Sequence, residues 1–253
     1  MHIFIDRAYA RLAPKILTRF NLKCLALICM FVDHWALLFL PIPEQTGWRI
    51  LGRLAFPIIC FFLIEGFLYT RNVKEYLWRL FLFALLSEPI YDWFFYQTWF
   101  YPAEQNVLFT LFIGLFTLAF WKQSALLAKT ILHLLPGETR LASRTSLLVS
   151  GCLKILAILW AVVLIYLLKP DYQFLGLAMI LVFYFWRGRF ILLSLSLGAL
   201  NALGAGYPQS YAVLALLPLA LYNGQKGLNI KYGFYLFYPL HLLSLGLFRQ
   251  FWS

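Results

Sequence analysis

Asp33 and His34 stand side by side inside one apolar run, LKCLALICMFVDHWALLFLP, and His241 stands inside another, FYLFYPLHLL, near the far end of the chain. Ionisable groups at that depth are costly in hydrocarbon, so they face other helices or a wet cavity and commonly mark function. An imidazole titrates near neutrality and can take a proton from an incoming hydroxyl or ammonium group, which makes His34 the natural general base of a transfer reaction. At about 1.5 Å per residue His34 lies roughly 18 Å along its run and His241 roughly 14 Å along the last, so the two can meet at one depth. Asp33 is about 100° round the helix from His34 and need not touch it. It can pair instead with Arg53, Lys154 or a neighbouring helix. The plainer reading of His34 is a histidine hydrogen-bonded for helix packing.

Other polar groups interrupt the apolar runs. In RLAFPIICFFLIEGFLYTRN, Arg53 enters the second run, Pro57 bends it, and Glu65 lies near its other end, within reach of Arg71 and Lys74. LLSEPIYDW gathers Ser87, Glu88 and Asp92 around Pro89, a broken polar segment of a kind tolerated only where it lines protein or a cavity. Asn106, Thr110 and Gly114 are spaced by four and share a helix face, a pattern commoner in close helix packing than in a site. The four cysteines form no CxxC pair and suggest neither a metal site nor a disulfide frame.

These residues must be held by membrane helices. The chain has 253 residues, 63% of them hydrophobic and only 12% charged, with a mean hydropathy of +0.79. A soluble domain carries about twice that share of charge. The expected fold is all-α: one polytopic transmembrane bundle over 1–253, with spans at 22–41, 50–69, 80–99, 106–121, 146–168, 172–186, 190–206, 209–223 and 232–251. That is about nine, with eight or ten also compatible, since 124–135 reads as a half-span or a surface helix. Residues 1–21 form a basic amphipathic lead-in without the features of a signal peptide. With the N-terminus cytoplasmic, most of the 21 Lys and Arg residues fall on the inner side, and Arg49, Arg53, Lys169 and Arg249 on the outer. The net charge of +11 is thus a topology signal and calls for no nucleic-acid partner. WFFYQTWFY, from Trp93 to Tyr101, reads as an outer aromatic belt.

LKCLALICMFVDHW, RLAFPIICFFLIEGFLYTRNVKEYLWRL, LFALLSEPIYDW, NVLFTLFIG and FYLFYPLHLL, in this order, resemble the TraX family, known for acetylating the N-terminus of F-type pilin in conjugation. The family is similar in turn to a wider set of multi-span membrane acyltransferases. The resemblance implies a multi-pass protein of the bacterial inner membrane that takes an acyl group from cytoplasmic acetyl-CoA and passes it to a pilin amine or an envelope glycan. It implies His34 as the catalytic histidine, and Tyr238 and His241 as the match to a Tyr-x-x-His element of the last span. Asp33, Glu88 and His241 are then supporting catalytic candidates, with Arg53, Glu65, Asn106, Thr110 and Tyr238 lining the pocket. Arg71, Lys74 and Arg79 can receive the phosphates of the acyl donor, or serve only as topology signals. Two other functions remain open. One is a proton-coupled transporter using Asp33, His34, Glu65 and Glu88 as a relay, and the other is a non-catalytic envelope or conjugation assembly protein whose polar residues are helix glue. Oligomeric state is left open.

Overall fold

The computed structural model describes residues 16–133, 142–204, 207–228 and 231–252, and among them the chain is helical without a β-strand. The helices are α1 (Arg19–Phe39), α2 (Gln45–Gly52), α3 (Ala55–Tyr69), α4 (Val73–Tyr96), α5 (Val107–His133), α6 (Ala142–Leu168), α7 (Gln173–Phe185) and α8 (Phe190–Gly204). A 3-10 turn at Gln209–Ala215 then runs into α9 (Leu216–Ala220), and α10 (Lys231–Trp252) closes the chain. Four described segments are long and apolar enough to cross a membrane: α1, the α2–α3 unit Gln45–Tyr69, Val107–Leu132 of α5 and Thr145–Leu168 of α6. α4 and α10 have comparable length, but their charged and polar side chains dilute the apolar surface.

α3 is the central helix. Apolar residues all round it, among them Phe56, Ile58, Phe61, Ile64 and Phe67, are buried against α1, α5 and α7. α6 is the opposite case, with Leu147, Leu148, Ile155, Leu159 and Tyr166 exposed on its outer side. A continuous apolar face of that size is what hydrocarbon, not water, would cover.

Local chemistry sets the helix ends that matter for the site. Thr18 caps α1 by accepting from the Asn21 amide, and Asn72 caps α4 by accepting from the Glu75 amide while its own Nδ2 donates to the Glu75 carboxylate at 2.9 Å. The start of α1 is bound to the loop before α10: Leu17 N donates to Leu221 O at 3.0 Å and Arg19 N to Gln225 O at 2.8 Å. Gly227 turns that loop at φ +64°, in the left-handed region, with Thr18 packed where a Cβ would stand.

Several expectations change. Residues 124–135 are no separate element as far as His133; they continue α5, where the Ser124 hydroxyl donates to Trp121 O at 2.8 Å and meets Ser150 of α6 at 3.1 Å. The segment 209–223 is a 3-10 turn plus one short helix, less than the ~30 Å hydrocarbon core requires. α4 runs unbroken through Pro89, and Pro89 and Leu85, whose carbonyl loses its helical donor, both lie on an exposed face where the proline ring meets no neighbouring helix core. Of the basic lead-in, residues 1–15 lie outside the described residues, and Arg19 already belongs to the first turn of α1.

Candidate active site

α1 and α10 pack against each other and bring His34 and His241 together, with His34 Nδ1 2.7 Å from His241 Nε2. His241 Nδ1 lies 2.8 Å from the carbonyl oxygen of Phe237, one turn earlier in α10. A carbonyl can only accept, so His241 Nδ1 carries a proton and its Nε2 offers a lone pair. His34 Nδ1–H must then donate to that lone pair, which leaves the lone pair of neutral His34 on Nε2. The carbonyl, His241 and His34 thus form a relay that fixes one tautomer, the arrangement a general base needs. Phe94 and Phe95 stand edge-on to the His34 ring at 5.7 and 5.8 Å and hold its plane.

His34 lines a chamber of about 150 Å³ together with Asp33, Arg49, Arg53, Asp171, Tyr91 and Tyr172. Asp33 is clasped by two arginines: Arg53 Nη2 donates to Oδ2, and Arg49 Nε donates to Oδ1 at 3.4 Å. Arg53 also donates through Nη1 to Gln209 at 3.3 Å, and Gln209 reaches Asn201 at 3.5 Å, so the pair ties α1 to α2, the 3-10 turn and α8. α2 can come this close only because residue 52 is glycine, since a Cβ there would lie 2.3 Å from the Asp33 Cβ. On the other side, Asp171 N donates to Gln105 O at 2.8 Å and the Thr110 hydroxyl donates to Asp171 O, pinning the α6–α7 connection over the chamber. Asp171 is exposed at its outer edge. Protein packed around its carboxyl pushes the pKa up to about 6, against the pull of Arg53.

A second, larger chamber of about 420 Å³ lies beside the earlier half of α1 and is lined by Arg19, Lys23, Arg79 and Lys226 among apolar side chains. Lys23 has the rings of Phe234 and Phe62 at 4.5 and 5.6 Å from its ammonium. Met30, Ile59, Val107 and Tyr238 line both chambers, so the cationic chamber and the histidine chamber adjoin.

Of the residues singled out in the sequence, His34, Asp33, Arg53 and Tyr238 line the histidine chamber, and His241 stands directly behind His34. Four do not reach it. Glu88 is held by Asn106, whose backbone and side-chain nitrogens both donate to Oε2, and Asn106 further donates to Ala84 O at 2.8 Å and caps Leu108 N at 2.9 Å. Glu88 and Asn106 thus lock the start of α5 to α4, and Thr110 serves the Asp171 connection. Glu65 is buried between Arg19 and Arg187, at 3.7 Å from each, in place of the expected Arg71 or Lys74. Arg79 lines the larger chamber, whereas Arg71 and Lys74 are exposed and do not line it. Sequence reasoning missed Arg49, Asp171, Arg19, Lys23 and Lys226 as lining residues. Arg49 was legible, since it is spaced by four from Arg53 on the same face.

A family model described as TraX protein matches residues 18–249. The chain belongs to the TraX family. It is also 30% identical over 262 residues to the probable fimbrial assembly protein FimC, serogroup H1, of Dichelobacter nodosus, covering 89% of this chain and 93% of that protein. No solved structure matches the chain. The matched span of this TraX family chain takes in both histidines, both arginines on Asp33 and all four cations of the larger chamber.

Proposed function

We propose that the protein is a multi-pass acyltransferase of the bacterial inner membrane that moves acetyl from cytoplasmic acetyl-CoA to an acceptor at the outer side. The observation that carries this is the placing of an oriented His34–His241 relay in one chamber that adjoins a cation-lined second chamber along α1. Arg19, Lys23, Arg79 and Lys226 fall on the side that charge distribution assigns to the cytoplasm, and Arg49 and Arg53 on the other. Phosphate and pyrophosphate groups suit the first set, and Lys23, faced by aromatic rings, gives up little by receiving an anion.

The chemistry follows from the relay. An amine or hydroxyl entering the histidine chamber from the outer side gives its proton to His34 Nε2 as its lone pair attacks the acetyl carbonyl. His241 accepts from His34 Nδ1–H and steadies the imidazolium that forms. Asp33, held by two arginines, frames the chamber and takes no proton. The name of the Dichelobacter nodosus relative favours a fibre subunit over a glycan as acceptor, in line with the pilin acetylation that the family resemblance implies.

The test is transfer in proteoliposomes. Labelled acetyl-CoA supplied to the face bearing Arg79 and Lys226 should label a pilin amino-terminal peptide supplied to the opposite face. Label that reaches the peptide only when donor and acceptor share a face would contradict the proposed path, and uptake of substrate without an acetyl donor would favour a transporter.

A further inference from the structure

The place where the two chambers meet is narrow and chemically specific. It is built from four elements, each giving one side chain: Met30 from α1, Ile59 from α3, Val107 from the first turn of α5 and Tyr238 from α10. Met30 precedes His34 by four residues and Tyr238 precedes His241 by three, so on both helices this collar stands about one turn, roughly 5–6 Å, from the histidine relay toward the larger chamber. A thioester that enters through the cationic chamber must put its carbonyl at this collar to be reached by a nucleophile activated at His34.

Three of the collar side chains have no hydrogen-bond donor. Tyr238 has one, and it is otherwise buried at 6% exposure. Its hydroxyl is the donor that the collar brings to the junction of the two chambers. The other donor-bearing side chains of the histidine chamber stand away from the junction: Arg49 and Arg53 hold Asp33, and neither they nor Tyr91 and Tyr172 line the larger chamber.

We infer that the Tyr238 hydroxyl is the oxyanion donor of the transfer, which rests on the acetyltransferase function proposed above. As the acceptor lone pair forms its bond to the carbonyl carbon, the C=O π pair moves onto oxygen, the acceptor proton passes to His34 Nε2, and the new oxyanion accepts from Tyr238 O–H. Collapse restores the C=O bond and breaks C–S, and the leaving thiolate takes the proton back from His34. Tyr238 thereby meets the charge only as it develops, the condition under which a donor raises the rate of the chemical step without tightening ground-state binding.

The experiment compares wild type with Tyr238→Phe in the full chain. Acetyl transfer should fall by about 10²-fold in kcat with KM for acetyl-CoA essentially unchanged. Equal turnover, or a loss confined to KM, would overturn the assignment. Trifluoroacetonyl-CoA, a ketone analogue that takes on the tetrahedral form, supplies a second readout that needs no variant. Wild type should bind it at least about 10²-fold more tightly than CoA, and no preference over CoA would equally overturn the assignment. Absence of any acetyl transfer by wild type would instead dispose of the enzymatic function itself.

Discussion

At the scale of single residues, the His34–His241 contact decides what the chamber can do. An imidazole facing lipid or packed in a dry seam has no proton to manage, whereas His34 lines a chamber and is held in one tautomer by a partner that is itself held by Phe237 O. His241→Asn removes the ring nitrogen that accepts from His34 and should lower acetyl transfer by about 10²-fold while leaving CoA binding intact, as read by turnover alongside a thermal shift. Protonation takes away the lone pair on Nε2, so transfer must be lost as pH falls and level off once His34 is neutral. Asp171 adds a stability term of opposite sense. Its folded pKa of about 6 lies above that of an unfolded carboxyl, so its contribution is present in full below about pH 4 and is lost as pH rises through 6. Asp171→Asn should flatten the thermal midpoint across that interval, by a small amount because the residue is exposed.

At the scale of elements, the chamber depends on how α2 lies across α1. The ion pair between Asp33 and Arg53 is largely withdrawn from solvent, with side-chain exposures of 11% and 14%, so breaking it from one side leaves uncompensated charge. Asp33→Asn should cost about 3 kcal/mol in denaturant unfolding, and Asp33→Asn with Arg53→Met should recover part of that loss. Gly52→Ala, which drives a Cβ into Asp33, should shift the same ion pair and depress both stability and transfer. Apolar run length made α1, α3, α5 and α6 readable in the sequence, because long apolar runs with polar ends have few other solutions. The polar residues were harder. Glu88 and Asn106 carry the residue types of a site, yet they spend their hydrogen bonds on each other and on the first turn of α5. Sequence marks a group as costly to bury but does not tell which neighbour offsets the cost.

At the scale of the whole molecule, two chambers share one wall, and their residues come from both ends of the chain: Arg19 and Lys226 are brought together by the backbone bonds between residues 17–20 and 221–226. No spacing in the sequence announces that contact, which is why Arg71 and Lys74, clustered with Arg79 in sequence, looked the better anion site. CoA at about a hundred times its Kd should stabilise the protein by roughly 2.7 kcal/mol, and Arg19→Gln with Lys226→Gln should weaken that shift and its dependence on salt, as read in thermal unfolding. Arg71→Gln with Lys74→Gln should leave it unchanged.

The most direct measurement is transfer of labelled acetyl from acetyl-CoA to an acceptor peptide by the purified protein and by His34→Gln, which keeps a polar side chain but cannot carry the proton. Label on the acceptor with wild type and a loss of about 10²-fold or more in the variant, with CoA still bound, is the predicted result. Equal labelling by the two proteins would contradict a catalytic His34.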